Sequence, residues 1–142
     1  MNSAKVDDTI TVAHQIDPAD VDAIRAAGFK AVINNRPDGE APDQPAGDEI
    51  RKAAEAAGLA YHALPVGRDG IGPDTLTGFR EAMEAAGGPV FAFCRTGTRS
   101  INLWALSQAG SRDAGEMVRL AADAGYDLSG LKPTLDRLAE AG

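Results

Sequence analysis

Residues 89–100 read Pro89-Val90-Phe91-Ala92-Phe93-Cys94-Arg95-Thr96-Gly97-Thr98-Arg99-Ser100. The first five form a short, wholly apolar run, as expected of a central parallel strand buried on both faces. From Thr98 to Gln108 (TRSINLWALSQ) the period changes, with Ile101, Trp104 and Ala105 at helical spacing. Between strand and helix lies a tight turn containing Gly97, with Cys94 at the strand's end. This strand–turn–helix unit decides the class of fold.

Working outward, the same alternation recurs. Ile10–Ala13 reads as the first strand. Asp17-Pro18 opens a helix, with a capping side chain followed by proline, and Gly28 closes it. Lys30–Asn34 (KAVIN) is the second strand. Residues 35–46 (NRPDGEAPDQPA) hold three prolines and a glycine, so they form a long loop, which in a small domain is functional or disordered. Asp48–Ala57 is an Ala-rich helix stopped by Gly58. Ala60–Val66 (AYHALPV) is the third strand, Gly67–Gly72 (GRDGIG) a second glycine-rich loop, and Pro73–Ala86 a helix. Two further helices are expected at Ala114–Ala124 and Pro133–Ala141. The order βαβαβαβ followed by helices predicts an α/β fold: a three-layer domain whose mostly parallel central sheet is flanked by helices. One domain is expected over residues 1–142.

In such sheets ligands bind beyond the carboxyl ends of the strands. The segments leaving those ends are His14–Asp17, Asn34–Glu40, Gly67–Gly72 and Cys94–Ser100, so the first three are expected to rim the fourth. The loop has the makings of an anion site. Backbone N–H groups of the turn and of the first helical turn, together with the helix dipole, form a positive concavity. A cysteine placed there is favoured as the thiolate, which is the nucleophilic form. Gly97 permits a positive φ where the chain doubles back. Arg99 can offer its planar fork to two oxygens of an oxyanion. Ser100 can donate to the sulfur. Arg95 raises the local potential, and Thr96, Gly97 and Thr98 complete the substrate-binding backbone. The plain alternative is a buried structural cysteine beside unrelated arginines.

Composition narrows the partners. The net charge is −7, with 14 basic and 21 acidic residues. A nucleic-acid binder would show a basic face, so that class is disfavoured. An anionic substrate instead needs a local cluster of arginines within a repelling field. One cysteine excludes an internal disulfide and a multi-cysteine zinc site. His14 and His62 stand apart from carboxylates and give no metal pattern, so neither metal nor cofactor is expected. No run of apolar residues is long enough to span a membrane, and Met1–Thr9 lacks the apolar stretch of a secretion signal. A cytoplasmic setting is expected.

FAFCRTGTRS resembles the active-site loop of cysteine-dependent phosphatases, whose pattern is Cys, five residues, Arg, then Ser or Thr. With VINNRPDGEAPDQP and AGLAYHALPV, the chain from about Ile10 to Gln108 resembles a small bacterial phosphatase-like family, often fused to metallo-β-lactamase-type hydrolases. The resemblance implies a protein-tyrosine-phosphatase-like fold and a phosphatase acting through a phosphocysteine on Cys94. There are two departures. Four residues, not five, separate Cys94 from Arg99, and Phe93 stands where tyrosine phosphatases usually have histidine. The short loop also resembles that of rhodaneses, which implies a sulfurtransferase carrying a persulfide on Cys94. The substrate is accordingly a phosphate monoester or a sulfane-sulfur donor. A non-catalytic anion-binding module is the third reading.

Phosphatase chemistry needs a proton donor for the leaving oxygen. Asp69, between the flexible glycines of Gly67-Arg68-Asp69-Gly70, is the candidate acid, against the plain reading of a surface turn. Asp38 is a fallback, better explained as part of a self-bonded loop, and Asp74 reads as an early-helix residue. Arg36 is a candidate substrate contact. His62 is expected to point outward on its strand, His14 lies near the rim, and Trp104 is expected in the core.

Overall fold

The computed structural model describes residues 1–141. Five strands form one sheet: β1 Ser3–Asp7, β2 Ile10–Ala13, β3 Ala31–Asn34, β4 Ala60–Ala63 and β5 Val90–Phe93. Six helices accompany them: α1 Val21–Ala26, α2 Gly47–Ala56, α3 Pro73–Ala85, α4 Thr98–Gln108, α5 Ala114–Asp123 and α6 Lys132–Ala141. The strand order is β1-β2-β5-β3-β4, with β1 antiparallel to β2 and the other pairs parallel. This is the three-layer α/β architecture expected.

β5 lies at the centre, paired on both edges, and its four residues are all buried. Their alternation splits the core in two, because successive side chains leave opposite faces. Val90 and Ala92 join Ile10, Val12, Ala31 and Ile33 under Phe79, Ile101, Trp104 and Met117. Phe91 and Phe93 join Ala13 and Val32 under Val21, Ile24, Ile50 and Ala54. Phe29 closes the second layer edge-on to Phe91, with ring centroids 5.4 Å apart. Trp104 is wholly buried, as expected, and Arg112 lies 5.6 Å over its ring.

The two layers fix where a site can form. α1 and α2, which follow β2 and β3, cover one face; α3 and α4, which follow β4 and β5, cover the other. β5 therefore sends its helix to the face opposite those of both its neighbours. Such a reversal opens a crevice at the carboxyl ends of the strands. Cys94 is the first residue past the carboxyl end of β5.

Three differences from the sequence reading stand out. β1 was not expected. Its sequence SAKVD buries only Val6, because an edge strand needs one inward residue and profits from charge on the rest. Asp7 ends it by accepting from Thr9 N, Thr9 Oγ1 and Ile10 N. The expected helix from Pro18 begins as a single 3-10 turn, Pro18–Asp20, before α1. β4 stops at Ala63, yet Leu64 N and Val66 N still donate to Asn34 O and Asn35 O, carrying the ladder toward the crevice. No described helix is long and apolar enough to cross a membrane.

Candidate active site

Cys94 is fully buried, and its backbone N–H donates to Ala13 O at 3.3 Å. Its Sγ accepts the Gly97 N–H at 3.1 Å. That contact requires the chain to reverse within three residues, which Gly97 accomplishes at φ +87°. Gly97 is also the N-cap of α4, and no side chain caps that end. The first N–H groups of a helix lack partners within it, so here they are left for an anion beside the sulfur.

Arg99 is one helical residue past the turn. Its Nη1 donates to Glu40 Oε2 and to Val66 O, both at 2.8 Å, and its Nη2 to Glu40 Oε1 at 2.9 Å. Glu40 also accepts from Arg36 Nε at 2.9 Å, and Arg36 Nη1 donates to Gln15 Oε1 at 3.1 Å. A chain of side chains thus fixes the guanidinium from behind. Both ends of the pair titrate accordingly. The Arg99 guanidinium is pushed up, first by its bond to Glu40, with the sulfur of Cys94 adding to the effect. The Glu40 carboxyl is held down at about 2, first by Arg99 and then by Arg36. Glu40 is an anion at neutral pH, so it serves as a brace and not as a proton donor.

The depressed Glu40 value gives a test. The pairing contributes fully above the ordinary carboxyl value of 4.5 and is lost as pH falls toward 2. The urea midpoint of the protein should decline across that window. In Glu40→Gln the decline should be shallower, and equal slopes for the two proteins would refute the brace.

Pro37, Gly39, Glu40, Gly67, Arg68, Arg95 and Arg99 line a cavity of about 500 Å³ at the crevice mouth. Three arginines face one carboxylate there, in a chain of net charge −7. This is the local positive cluster that an anionic substrate needs.

The other expected residues fall as follows. Ser100 is buried, but its hydroxyl donates to Asn35 Oδ1 at 2.8 Å and not to the sulfur; Asn35 Nδ2 in turn donates to Leu64 O at 2.8 Å. Ser100 therefore ties α4 to the end of β3. Arg36 is 6% exposed and committed to Glu40 and Gln15, which makes it a support for the brace. Thr96 and Thr98 are exposed, with their hydroxyls 3.1 Å apart, and Arg95 is exposed at the cavity wall. Asp69 is exposed on the turn closed by Gly70 N donating to Gly67 O, and its carboxylate is not part of the cavity wall. Asp38 accepts the Gly47 N–H at 2.8 Å, fastening the long loop to α2. Asp74 lies in the first turn of α3. His62 is half-buried, and burial pushes its imidazole toward the neutral form. His14 N donates to Asn2 O.

Sequence reasoning passed over Glu40, Gln15 and Tyr126. Glu40 sits in a loop long enough to suggest function, but nothing local marks it as the partner of a residue 59 positions away. Tyr126, whose hydroxyl donates to Thr96 O at 2.7 Å, left no signal at all.

The family described as beta-lactamase hydrolase-like protein, phosphatase-like domain, matches residues 4–111. The beta-lactamase hydrolase-like protein of Agrobacterium fabrum is 36% identical over 143 residues, covering 99% of this chain and 33% of that protein. The chain thus spans about a third of that curated relative's length. A candidate phosphatase from Neisseria meningitidis Z2491, solved by crystallography, is 34% identical with a TM-score of 0.81, covering 95% of this chain and 96% of that one. TpbA of P. aeruginosa in complex with phosphotyrosine shares the fold at 16% identity and a TM-score of 0.66, over 99% of this chain and 89% of its own.

Proposed function

This chain belongs to the phosphatase-like domain family of beta-lactamase hydrolase-like proteins, and from that footing we propose that it is a cysteine-dependent phosphatase. The observation that carries the reading is the Gly97 N–H seated on the Cys94 sulfur, at the foot of an uncapped helix and beside a braced arginine. In this reading the Cys94 thiolate attacks phosphorus. A sulfur–phosphorus bond forms as the bond to the leaving oxygen breaks. The loop amides and Arg99 hold the remaining oxygens, whose charge is best met by preorganised donors. Asp69 gives its proton to the leaving oxygen once the glycine-flanked turn swings it in. Water then cleaves the phosphocysteine to inorganic phosphate and the free thiolate. TpbA takes phosphotyrosine in the same fold, which makes an aryl phosphate the natural first substrate.

Turnover of p-nitrophenyl phosphate, inhibited by vanadate, is the expected result. No turnover of any phosphate ester would refute the reading.

A second reading has its own observations. Asp69 lies outside the cavity wall, and the Glu40 carboxylate sits on Arg99. Sulfur transfer tolerates both, because it needs no acid. In it the thiolate attacks the sulfane sulfur of thiosulfate, a sulfur–sulfur bond forms, and sulfite departs. Asp69→Asn separates the two. For a phosphatase it should lower kcat about a hundredfold on phosphotyrosine, whose leaving oxygen needs a proton. For a sulfurtransferase it should leave both turnover and the gain of one sulfur on Cys94 unchanged.

A further inference from the structure

We propose that Tyr126 is a positioning residue, which aims the Gly97 N–H at the Cys94 sulfur by anchoring the other end of the same peptide plane. The Tyr126 hydroxyl donates to Thr96 O at 2.7 Å. The Gly97 N–H donates to Cys94 Sγ at 3.1 Å. Thr96 C=O and Gly97 N–H belong to one peptide unit, and the structure contains no cis peptide among the described residues. That unit is planar, with carbonyl and amide pointing in opposite directions. The phenol and the sulfur therefore grip it from its two ends. Turning the N–H away from the sulfur would break the bond to Tyr126 as well.

The grip also acts on charge. A hydrogen bond accepted at a carbonyl polarises the amide and strengthens the N–H on the far side. The phenol is suited to this. Burial, and next the negative charge of Cys94, push its ionisation up, so it keeps the proton it donates. The contact is close as well as polar: a Cβ added at Gly97 would lie 2.2 Å from Tyr126 Oη and 3.0 Å from its Cζ. Arg99, set by Glu40, also interacts with the sulfur.

Tyr126 reaches the loop from beyond α5, where its backbone N–H donates to Ala121 O at 2.8 Å. It lies outside the family match at residues 4–111. The segment past α5 thus completes the active-site loop. This rests on Cys94 working as a thiolate, whichever atom it attacks.

Tyr126→Phe keeps the ring and removes the donor. The measurement is the rate of iodoacetamide alkylation of Cys94 in the full chain, followed from acid to alkaline pH, which requires no substrate. At neutral pH the rate should fall about three- to tenfold, the worth of one weakened hydrogen bond to a charged group. The rise of rate with pH should move to more alkaline pH while its plateau stays in place. A profile that does not move overturns the inference, whether or not the urea midpoint drops, since packing alone would change only stability. Loss of all phosphate-ester turnover in the wild type would refute the proposed reaction and leave this measurement standing.

Discussion

Cys94→Ser is expected to abolish turnover, with kcat falling by at least about four orders of magnitude. The reason lies in the loop's chemistry. In the proposed reaction the loop amides and Arg99 serve a thiolate, and a serine hydroxyl stays protonated at neutral pH. The nucleophile would disappear while its cradle remained. Oxygen can still accept the Gly97 N–H, so the loop should keep its shape and the fold its urea midpoint. Phosphate and vanadate should then bind at least as well as before, because the site no longer holds a competing charge. The chain has no other cysteine to take over. Residual turnover within about tenfold of the wild type would remove Cys94 from the mechanism.

Gly97→Ala should be nearly as severe, for steric reasons. Gly97 has φ +87°, where an L-residue pays about 1–2 kcal/mol. The new methyl would also sit 2.2 Å from Tyr126 Oη, which is itself bonded to Thr96 O. Either the phenol is expelled or the loop opens, and both loosen the N–H that meets the sulfur. The expected loss in kcat/KM is about a hundredfold, as for other misplacements of about 1 Å. Stability should drop by about 1–3 kcal/mol. Gly110→Ala is the control: its φ is +88°, but the nearest atom a Cβ would meet is Ala139 Cα at 3.9 Å. Strain alone should cost that variant stability and leave activity in place. Equal activity losses in the two variants would show that the loop contact is irrelevant.

Much of this protein could be read along the chain. Val90–Phe93 is apolar on both alternating faces because it is covered on both, and Cys94 follows at its carboxyl end, the side on which such sheets bind ligands. Gly97 announced the positive φ, and the change of period at Thr98 announced α4. The helix ends at Gly28 and Gly58 were legible from the same left-handed preference. β1 was not, because a charged edge strand carries too little apolar signal to distinguish it from a tail. Arg99 was read as free to hold substrate, and Ser100 as a donor to sulfur. Each proved to have a partner brought in by another strand, Glu40 in one case and Asn35 in the other.

The amino-acid sequence by itself therefore determined the layered α/β class, the place of Cys94 at the end of β5 and the Gly97 turn that opens α4, since strand, turn and helix preferences act over a few residues. Only the tertiary structure decided what surrounds the sulfur: Glu40 behind Arg99, Asn35 on Ser100, Tyr126 against Thr96 and Gly97. Those contacts span 59, 65 and 30 positions of chain. No periodicity encodes such pairs. They exist because packing two helical layers on one sheet brings the ends of separate strands, and a segment past α5, to the same point.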